Sequence, residues 1–457
     1  MGRVQSSLFP FLFFLLITLS QLHFTTSKPS DLGLKLIHRD SLESPLYPGK
    51  LTLRERGTRY SKFSVARLSQ IESLKNHNGM LEPNLIRPPV LIDNLLYMVQ
   101  LEIGTPGQNT FLALDTGGNL IWSQCLPCKN CYRQTVPIFD PLKSSTYQKL
   151  PCSHESCKHT PCNEGGCHYT VEYMNSAMTR GFLSTESFVF LDAKKQKATI
   201  PKVVFGCSNE ASGFPFVLTG RISGVLGMSL GSLSLISQLS DYTQNRFSYC
   251  LVSPLSPNVT STYLRFGYED IGVIGEGFQS TPFVKLENPY FYAVNLVDIT
   301  VAGKRLNFPS GTFSVKPNGS GGCIFDSGAP FSILQKDAYD KVEETLVEYF
   351  ENFGLQRADH DIICSIEDET LCYYLPDDFN KFPSMTFHFR EADLEVKPEN
   401  VFYISRDEEY FFLGVKRSTD TNLIGAWQQH DTLFVHALDA FGGSLSFRPL
   451  DCASYTF

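Results

Sequence analysis

From Tyr97 onward the chain alternates short apolar runs with Gly, Pro, Asn and Ser. The runs at residues 97–103, 110–114, 187–191, 202–206, 291–301 and 385–389 are rich in Val, Ile, Phe, Tyr and Leu. Their length and punctuation predict a mainly antiparallel β protein. Two later segments carry a helical period: residues 232–239, and residues 335–353, where Ala338, Val342, Leu346 and Phe350 recur every fourth position. Ahead of the β region, residues 61–75 place Phe63, Leu68, Ile71 and Leu74 at spacings compatible with a further helix. Residues 8–19 are almost unbroken in apolar character behind the basic start Met1-Gly2-Arg3, and Thr25-Thr26-Ser27 follow. That run is short of the roughly 20 residues of a spanning helix, so residues 1–27 read as a cleaved signal peptide.

Composition refines the picture. Of 457 residues 42% are hydrophobic and 19% charged, with a net charge of −8. This excludes a disordered chain and argues against a nucleic-acid binder held by phosphate contacts. Thirteen Cys suggest an oxidising compartment. Residues 28–87 hold eleven Lys/Arg against six Asp/Glu and no Cys, whereas the chain beyond holds twenty-seven against forty-one. A basic leader before an acidic, Cys-rich body reads as a propeptide over 28–90, held partly by charge and released when acid protonates the body's carboxylates. The bland alternative is a flexible arm. Asn258-Val-Thr and Asn318-Gly-Ser are glycosylation acceptors of a secreted chain.

Candidate chemistry lies in a doubled motif. Phe111-Leu-Ala-Leu-Asp115-Thr116-Gly117 and Cys323-Ile-Phe-Asp326-Ser327-Gly328 each lead an apolar strand into Asp-[Thr/Ser]-Gly. One such match is expected by chance about 0.2 times in a chain this long; two, each behind an apolar strand, point to design. Downstream of each lies an apolar pair and a Gly, Val225-Leu226-Gly227 and Leu423-Ile424-Gly425. The repetition predicts two similar lobes, each presenting one carboxylate. Two carboxylates brought together share one proton. The ionised member can then take a proton from water while the protonated member donates to a peptide carbonyl oxygen. Gly117 and Gly328 allow the tight turn that brings backbone N–H groups to the carboxylates, and the Thr116 and Ser327 hydroxyls are expected to reach the opposite loop.

Competing motifs are weaker. Gly227-Met-Ser229-Leu-Gly231 matches the nucleophile elbow of a serine hydrolase, with His388 and His430 as downstream candidates. That fold alternates strands with helices and leaves the twin Asp motifs unexplained. Cys125-x2-Cys128-x2-Cys131 has metal-ligand spacing, but disulfides are the expected use in a secreted chain. His154-Glu-x3-His159 is one residue too long for a helical zinc pair. No metal and no cofactor is expected.

The twin motifs resemble those of pepsin-type aspartic proteases, and more closely the plant nepenthesin-like group. Other matching segments are Leu36-Ile-His-Arg-Asp-Ser in the leader, Ile103-Gly-Thr-Pro, Trp122-Ser-Gln-Cys125, Phe205-Gly-Cys207, Phe247-Ser-Tyr-Cys250, Asn422-Leu-Ile-Gly425-Ala-Trp-Gln-Gln and Phe447-Arg-Pro-Leu-Asp-Cys452. The resemblance implies a bilobal all-β acid-protease fold with its cleft between an N-terminal lobe (91–275, Cys-rich insertion 125–167) and a C-terminal lobe (276–457). It implies Asp115 and Asp326 as the catalytic dyad, Tyr173 as a mobile flap tyrosine and Trp122 as its hydrogen-bonding partner. The expected protein is a monomeric endopeptidase acting on proteins or peptides. Its expected destination is the extracellular space, with the vacuole as alternative, and no stable membrane association follows signal cleavage. The rival reading is a catalytically weak or inactive binding or inhibitor protein on the same fold.

Family pairing suggests disulfides 125–128, 131–207, 152–167, 157–162 and 250–452. Cys364 could pair with Cys372, leaving Cys323 free and buried beside Asp326. Three departures stand out. Gly118 and Ala329 replace the hydroxyl residues that usually follow Asp-Thr-Gly and Asp-Ser-Gly, which should raise the pH at which the dyad titrates. The flap reads Tyr173-Met-Asn-Ser-Ala, without the usual glycines. The usual partner position of Cys372 falls near Phe412.

Overall fold

In the computed structural model the apolar runs become strands. It describes residues 31–76, 96–158, 160–172, 178–192, 194–212, 222–255, 261–267, 277–286, 290–316, 321–358, 370–439 and 442–454. Tyr97–Ile103 and Met385–Phe389 form with the expected bounds. The runs at 110–114, 187–191 and 202–206 are the inner parts of Gln108–Asp115, Met178–Asp192 and Lys197–Ser212. The run at 291–301 divides at Asn295. Ala293–Val294 pairs with Cys323–Phe325, and Leu296–Val301 pairs with Met385–Phe389, so one apolar stretch serves two sheets. Lys336–Glu351 is a helix that buries Ala338, Val342, Leu346 and Phe350, as its period predicts. The 232–239 segment gives only the short helix Leu235–Gln238, whose cap Ser234 accepts the Ser237 N–H.

One large sheet joins the two halves of this mainly β, pepsin-like fold. Gln279–Pro282, Ser444–Pro449 and Thr432–Ala437 come from the C-terminal half, and Arg246–Cys250 and Thr262–Gly267 continue it from the N-terminal half. The next strand is Asp31–His38, from the basic leader. It is antiparallel to Thr262–Gly267 on one side, Leu34 opposite Leu264, and to Tyr97–Ile103 on the other, His38 opposite Tyr97. A strand paired along both edges is part of the sheet, not a flexible arm.

The leader then forms the helix Leu53–Asn76, longer than the expected segment. Its buried stripe is Tyr60, Ser64, Arg67 and Ile71, one helical face. Phe63 and Leu68, expected on the buried face, are only half-buried, and the side chain of Leu74 lies outside the described residues. Docking chemistry explains the difference. Tyr60 packs between Phe331 and Trp427, with ring centroids 6.2 Å from each, and the Tyr403 hydroxyl donates to the Leu53 carbonyl at 2.6 Å. Phe63 instead lies under the Arg39 and Arg59 guanidinium groups. Much of the leader's charge is used internally: Lys35 pairs with Glu43, and Arg56 and Arg59 pair with Asp40.

The cysteine pairing departs from expectation in four of five bridges. Cys125 bonds Cys207, Cys128 bonds Cys131, Cys152 bonds Cys162 and Cys157 bonds Cys167. Strand register is the cause. Trp122–Gln124 runs parallel to Lys197–Ser212 with Ser123 opposite Cys207, which carries Cys125 to a Cα separation of 5.4 Å from Cys207. The neighbours 128 and 131 are left to each other. In the insertion, Cys162 and Cys167 face each other across a hairpin, and each takes its partner from the preceding segment, so the bridges interleave where nesting was expected. Cys250–Cys452 is as expected, and Cys323 is free and buried. Cys372 is disulfide-bonded and stands opposite Phe412 in its sheet; Cys364 lies outside the described residues.

Gly57 leaves no room above the C-terminal half, since a Cβ there would lie 3.0 Å from the Tyr403 ring and 3.1 Å from that of Phe412. Gly57→Leu is therefore expected to weaken leader docking by about 1–3 kcal/mol. Limited trypsin digestion at neutral pH should cut the leader of this variant first while the body stays resistant; equal protection of both leaders would contradict the docking.

Candidate active site

Each predicted carboxylate sits at the end of a strand flanked by its own downstream apolar pair. Asp115 ends Gln108–Asp115, parallel to Gly224–Gly227 with Gly227 opposite Asp115. Asp326 follows Cys323–Phe325, parallel to Leu423–Ile424 with Ile424 opposite Phe325. The glycines of the doubled signal are needed because another main chain crosses them. A Cβ on Gly227 would lie 2.8 Å from the Gly118 and Leu120 carbonyl oxygens, and one on Gly425 would lie 2.5 Å from the Phe331 carbonyl carbon.

The two loops meet. Gly117 N–H donates to Asp115 Oδ1 at 3.0 Å and Gly328 N–H to Asp326 Oδ1 at 2.8 Å, the same bond in each half. Thr116 Oγ1 accepts the Ser327 N–H at 3.2 Å and lies 3.4 Å from both Asp326 Oδ1 and Ser327 Oγ. Thr116, Gly117, Ser327 and Gly328 thus occupy the supporting positions read from the sequence. Both carboxylates are buried, at 0% and 1% exposure.

Between them lies a residue the sequence reading missed. Arg67, from the leader helix and itself 1% exposed, donates through Nε to Asp326 Oδ2 at 2.6 Å and through Nη2 to Asp115 Oδ1 at 3.1 Å. Burial opposes its charge, but the two carboxylates outweigh that and hold the guanidinium above its ordinary pKa. Burial pushes the Asp115 carboxyl up to about 6; the Asp326 charge adds to this, while Arg67 and the Gly117 N–H oppose it. Asp115 Oδ2 is buried with no hydrogen-bond partner. It fills the room a side chain at 118 would need, since a Cβ on Gly118 would collide with it. No apolar period reveals Arg67; its position one helical face along from Tyr60 is the only trace in the sequence.

Other candidates lie elsewhere. Tyr173, Asn258 and Asn318 are outside the described residues, and Trp122 is buried in the N-terminal core. The Ser229 reading is overturned. Its hydroxyl accepts the Gly231 N–H, whereas His388 is held by Asp393 and Thr300, and His430 contacts Tyr97. His154 caps a short turn by accepting the Ser156 N–H. No group of three or more metal-ligating side chains occurs among the described residues.

Comparison with known proteins identifies the family of the chain. Residues 97–268 match the family described as xylanase inhibitor N-terminal, and residues 291–449 the one described as xylanase inhibitor C-terminal. The chain is 32% identical over 390 residues to aspartic proteinase nepenthesin-2 of Nepenthes gracilis, covering 83% of this chain and 84% of that protein. It is 29% identical over 444 residues to the protein aspartic protease in guard cell 2 of Arabidopsis thaliana, covering 94% and 90%. Among solved structures, basic 7S globulin from soybean matches with a TM-score of 0.60 at 18% identity, over 80% of this chain and 94% of that one. Conglutin gamma from lupine seeds matches with 0.61 at 16%, over 94% and 97%. The chain belongs to the pepsin-like plant aspartic protease family.

The space at residue 118 yields a test. Gly118→Ser, which puts back the hydroxyl residue usual in the family, must displace Asp115 Oδ2 before its hydroxyl can donate to it. Such overpacking is expected to destabilise the fold by about 1–3 kcal/mol. An unchanged melting temperature of Gly118→Ser would show that the carboxylate has room to move.

Proposed function

We propose that the chain is a secreted aspartic endopeptidase made as a zymogen, in which Asp115 and Asp326 activate a water molecule to hydrolyse peptide bonds in acid. The observation that carries this reading is Arg67, which bridges both carboxylates from the leader. A cation there occupies the place a hydrolytic water needs. Once the leader has gone, the two carboxylates must share a proton to lie so close. The ionised carboxylate takes a proton from water as the oxygen attacks the peptide carbonyl carbon, and the protonated one donates to the carbonyl oxygen. The tetrahedral gem-diol then collapses, its C–N bond breaks, and the amine nitrogen leaves with a proton. No covalent intermediate forms.

The proposed organisation is a signal at 1–27, a leader at 28–90, and lobes at 91–275 and 276–457. Tyr173 is proposed as the flap tyrosine with Trp122 as its hydrogen-bonding partner, and Asn258 and Asn318 to carry glycans in a chain secreted to the extracellular space or vacuole. No described helix is long and apolar enough to cross a membrane. The second reading, a binding or inhibitor protein on the same fold, is favoured by the xylanase-inhibitor description of the matching family. Cleavage of a denatured protein by the acid-treated chain, blocked by a statine-type inhibitor, decides between them. Asp115→Asn and Asp326→Asn should each abolish cleavage while secretion continues, and Arg67→Ala should cleave without acid treatment. Retained turnover in either Asn variant would remove the dyad.

Acid release of the leader has a second handle besides the body's carboxylates. His38 is buried, its Nδ1 accepts the Asp40 N–H at 3.1 Å, and its Nε2 has no partner. Burial lowers its pKa to about 4, with Asp40 opposing and Arg39, Arg56 and Arg59 assisting, whereas the released side chain titrates near 6.5. The docked leader therefore holds fewer protons than the free one. Docking is fully present above pH 6.5 and weakens by up to about tenfold per unit as pH falls toward 4. His38→Gln should shift release, followed by size-exclusion chromatography, to lower pH; an unchanged profile would assign the trigger elsewhere.

A further inference from the structure

Two buried phenols connect each half of the molecule to the aspartate strand of the other. Tyr292, next to the C-terminal strand Ala293–Val294, donates its hydroxyl to the Met228 carbonyl of the N-terminal half at 2.6 Å. The Met228 N–H in turn donates to the Asp115 carbonyl at 2.8 Å. The opposite link starts at Tyr249, in Arg246–Cys250 of the N-terminal half. Its hydroxyl donates to Gln429 Oε1 at 2.7 Å, and Gln429 Nε2 donates to the Ile424 carbonyl at 2.8 Å. That carbonyl also accepts the Asp326 N–H at 3.1 Å. Tyr249, Tyr292, Met228, Gln429 and Ile424 are all at most 1% exposed.

We infer that Tyr249 and Tyr292 are positioning residues for the proposed reaction, each fixing the main chain that bears the aspartate of the other lobe. The inference rests on the dyad reading. Two carboxylates from separate lobes share a proton only if the lobes are held in one relative placement. The loop contact through Thr116 is long, at 3.2–3.4 Å, whereas the phenol bonds behind the aspartates are 2.6–2.7 Å. Burial raises the pKa of both phenols above the ordinary tyrosine value, so neither donor is lost anywhere in the acid range. The rings enclose His436 with Phe247 and Phe283, and its two ring nitrogens have no partner. The hydroxyls are the hydrogen-bonding ends of these rings.

The test uses Tyr249→Phe and Tyr292→Phe in the full chain, activated like the wild type. Each removes one oxygen and leaves the ring. On a single peptide, kcat is expected to fall roughly ten- to hundredfold with KM within about twofold, because a small displacement of the dyad is costly in rate. The acid limb of the pH–rate profile should move as well, and the double variant should lose less than the product of the two single losses. Tyr339→Phe, a buried tyrosine on the helix Lys336–Glu351, serves as the control for lost stability and should keep wild-type kcat. Amide hydrogen exchange gives a readout independent of turnover: the Met228 amide should exchange faster in Tyr292→Phe, and the Asp326 amide in Tyr249→Phe. Folded Phe variants with wild-type kcat, pH profile and exchange would overturn the inference. A wild type without activity would instead remove the protease reading, and unchanged exchange would then still refute the tethers.

Discussion

Two buried carboxylates cannot both stay ionised at close range unless a cation or a proton accompanies them, and in this molecule Arg67 supplies the cation. Three charges have been taken out of water to build this contact, a costly step repaid only by good geometry. Removing one partner of such a buried set costs about 3–5 kcal/mol, so the leader helix and the aspartate loops stabilise each other. The guanidinium and a shared proton are alternative answers to one electrostatic problem. With Arg67 in place one positive charge lies between two carboxylates; a shared proton would supply the same balance.

The rest of the leader fixes where that side chain lies. Its strand is built into the sheet between Thr262–Gly267 and Tyr97–Ile103, and its helix is seated by Tyr60 on Phe331 and Trp427. The basic excess of residues 28–87 suggests a broad electrostatic hold, but Arg56, Arg59 and Lys35 are paired within the leader itself. Those pairs fold the leader onto itself, and the aromatic and strand contacts dock it. The charge that reaches the dyad is concentrated in one residue.

The two halves repeat one device. An aspartate strand, a parallel apolar pair and a glycine crossed by another main chain occur in each, with Gly117 and Gly328 giving equivalent bonds to the carboxylates. The symmetry is broken at the fourth motif position. At Gly118 the missing side chain leaves space into which Asp115 turns one oxygen, where it finds no donor; burial and the Asp326 charge raise its carboxyl.

The β class, the two lobes and the identity of the paired aspartates were legible in the sequence, because strand periods and the doubled Asp-[Thr/Ser]-Gly motif are local and survive without coordinates. The helix Lys336–Glu351 was legible for the same reason: its four apolar positions all face one core. What needed the tertiary structure was every feature that depends on register between distant segments. Cys125 bonds Cys207 because two parallel strands carry them together, and Cys162 and Cys167, adjacent across a hairpin, bond elsewhere. The leader's buried face was misread because apolar periodicity cannot register a buried Ser64 and Arg67: Ser64 accepts the Phe331 N–H, and Arg67 is held by a pair of carboxylates 48 and 259 residues away. Sequence by itself determined the two Asp-[Thr/Ser]-Gly turns, since side-chain type and local turn geometry are short-range properties. Only the packing of leader against body decided that Arg67 lies between the two carboxylates, since that is settled by where a guanidinium can reach.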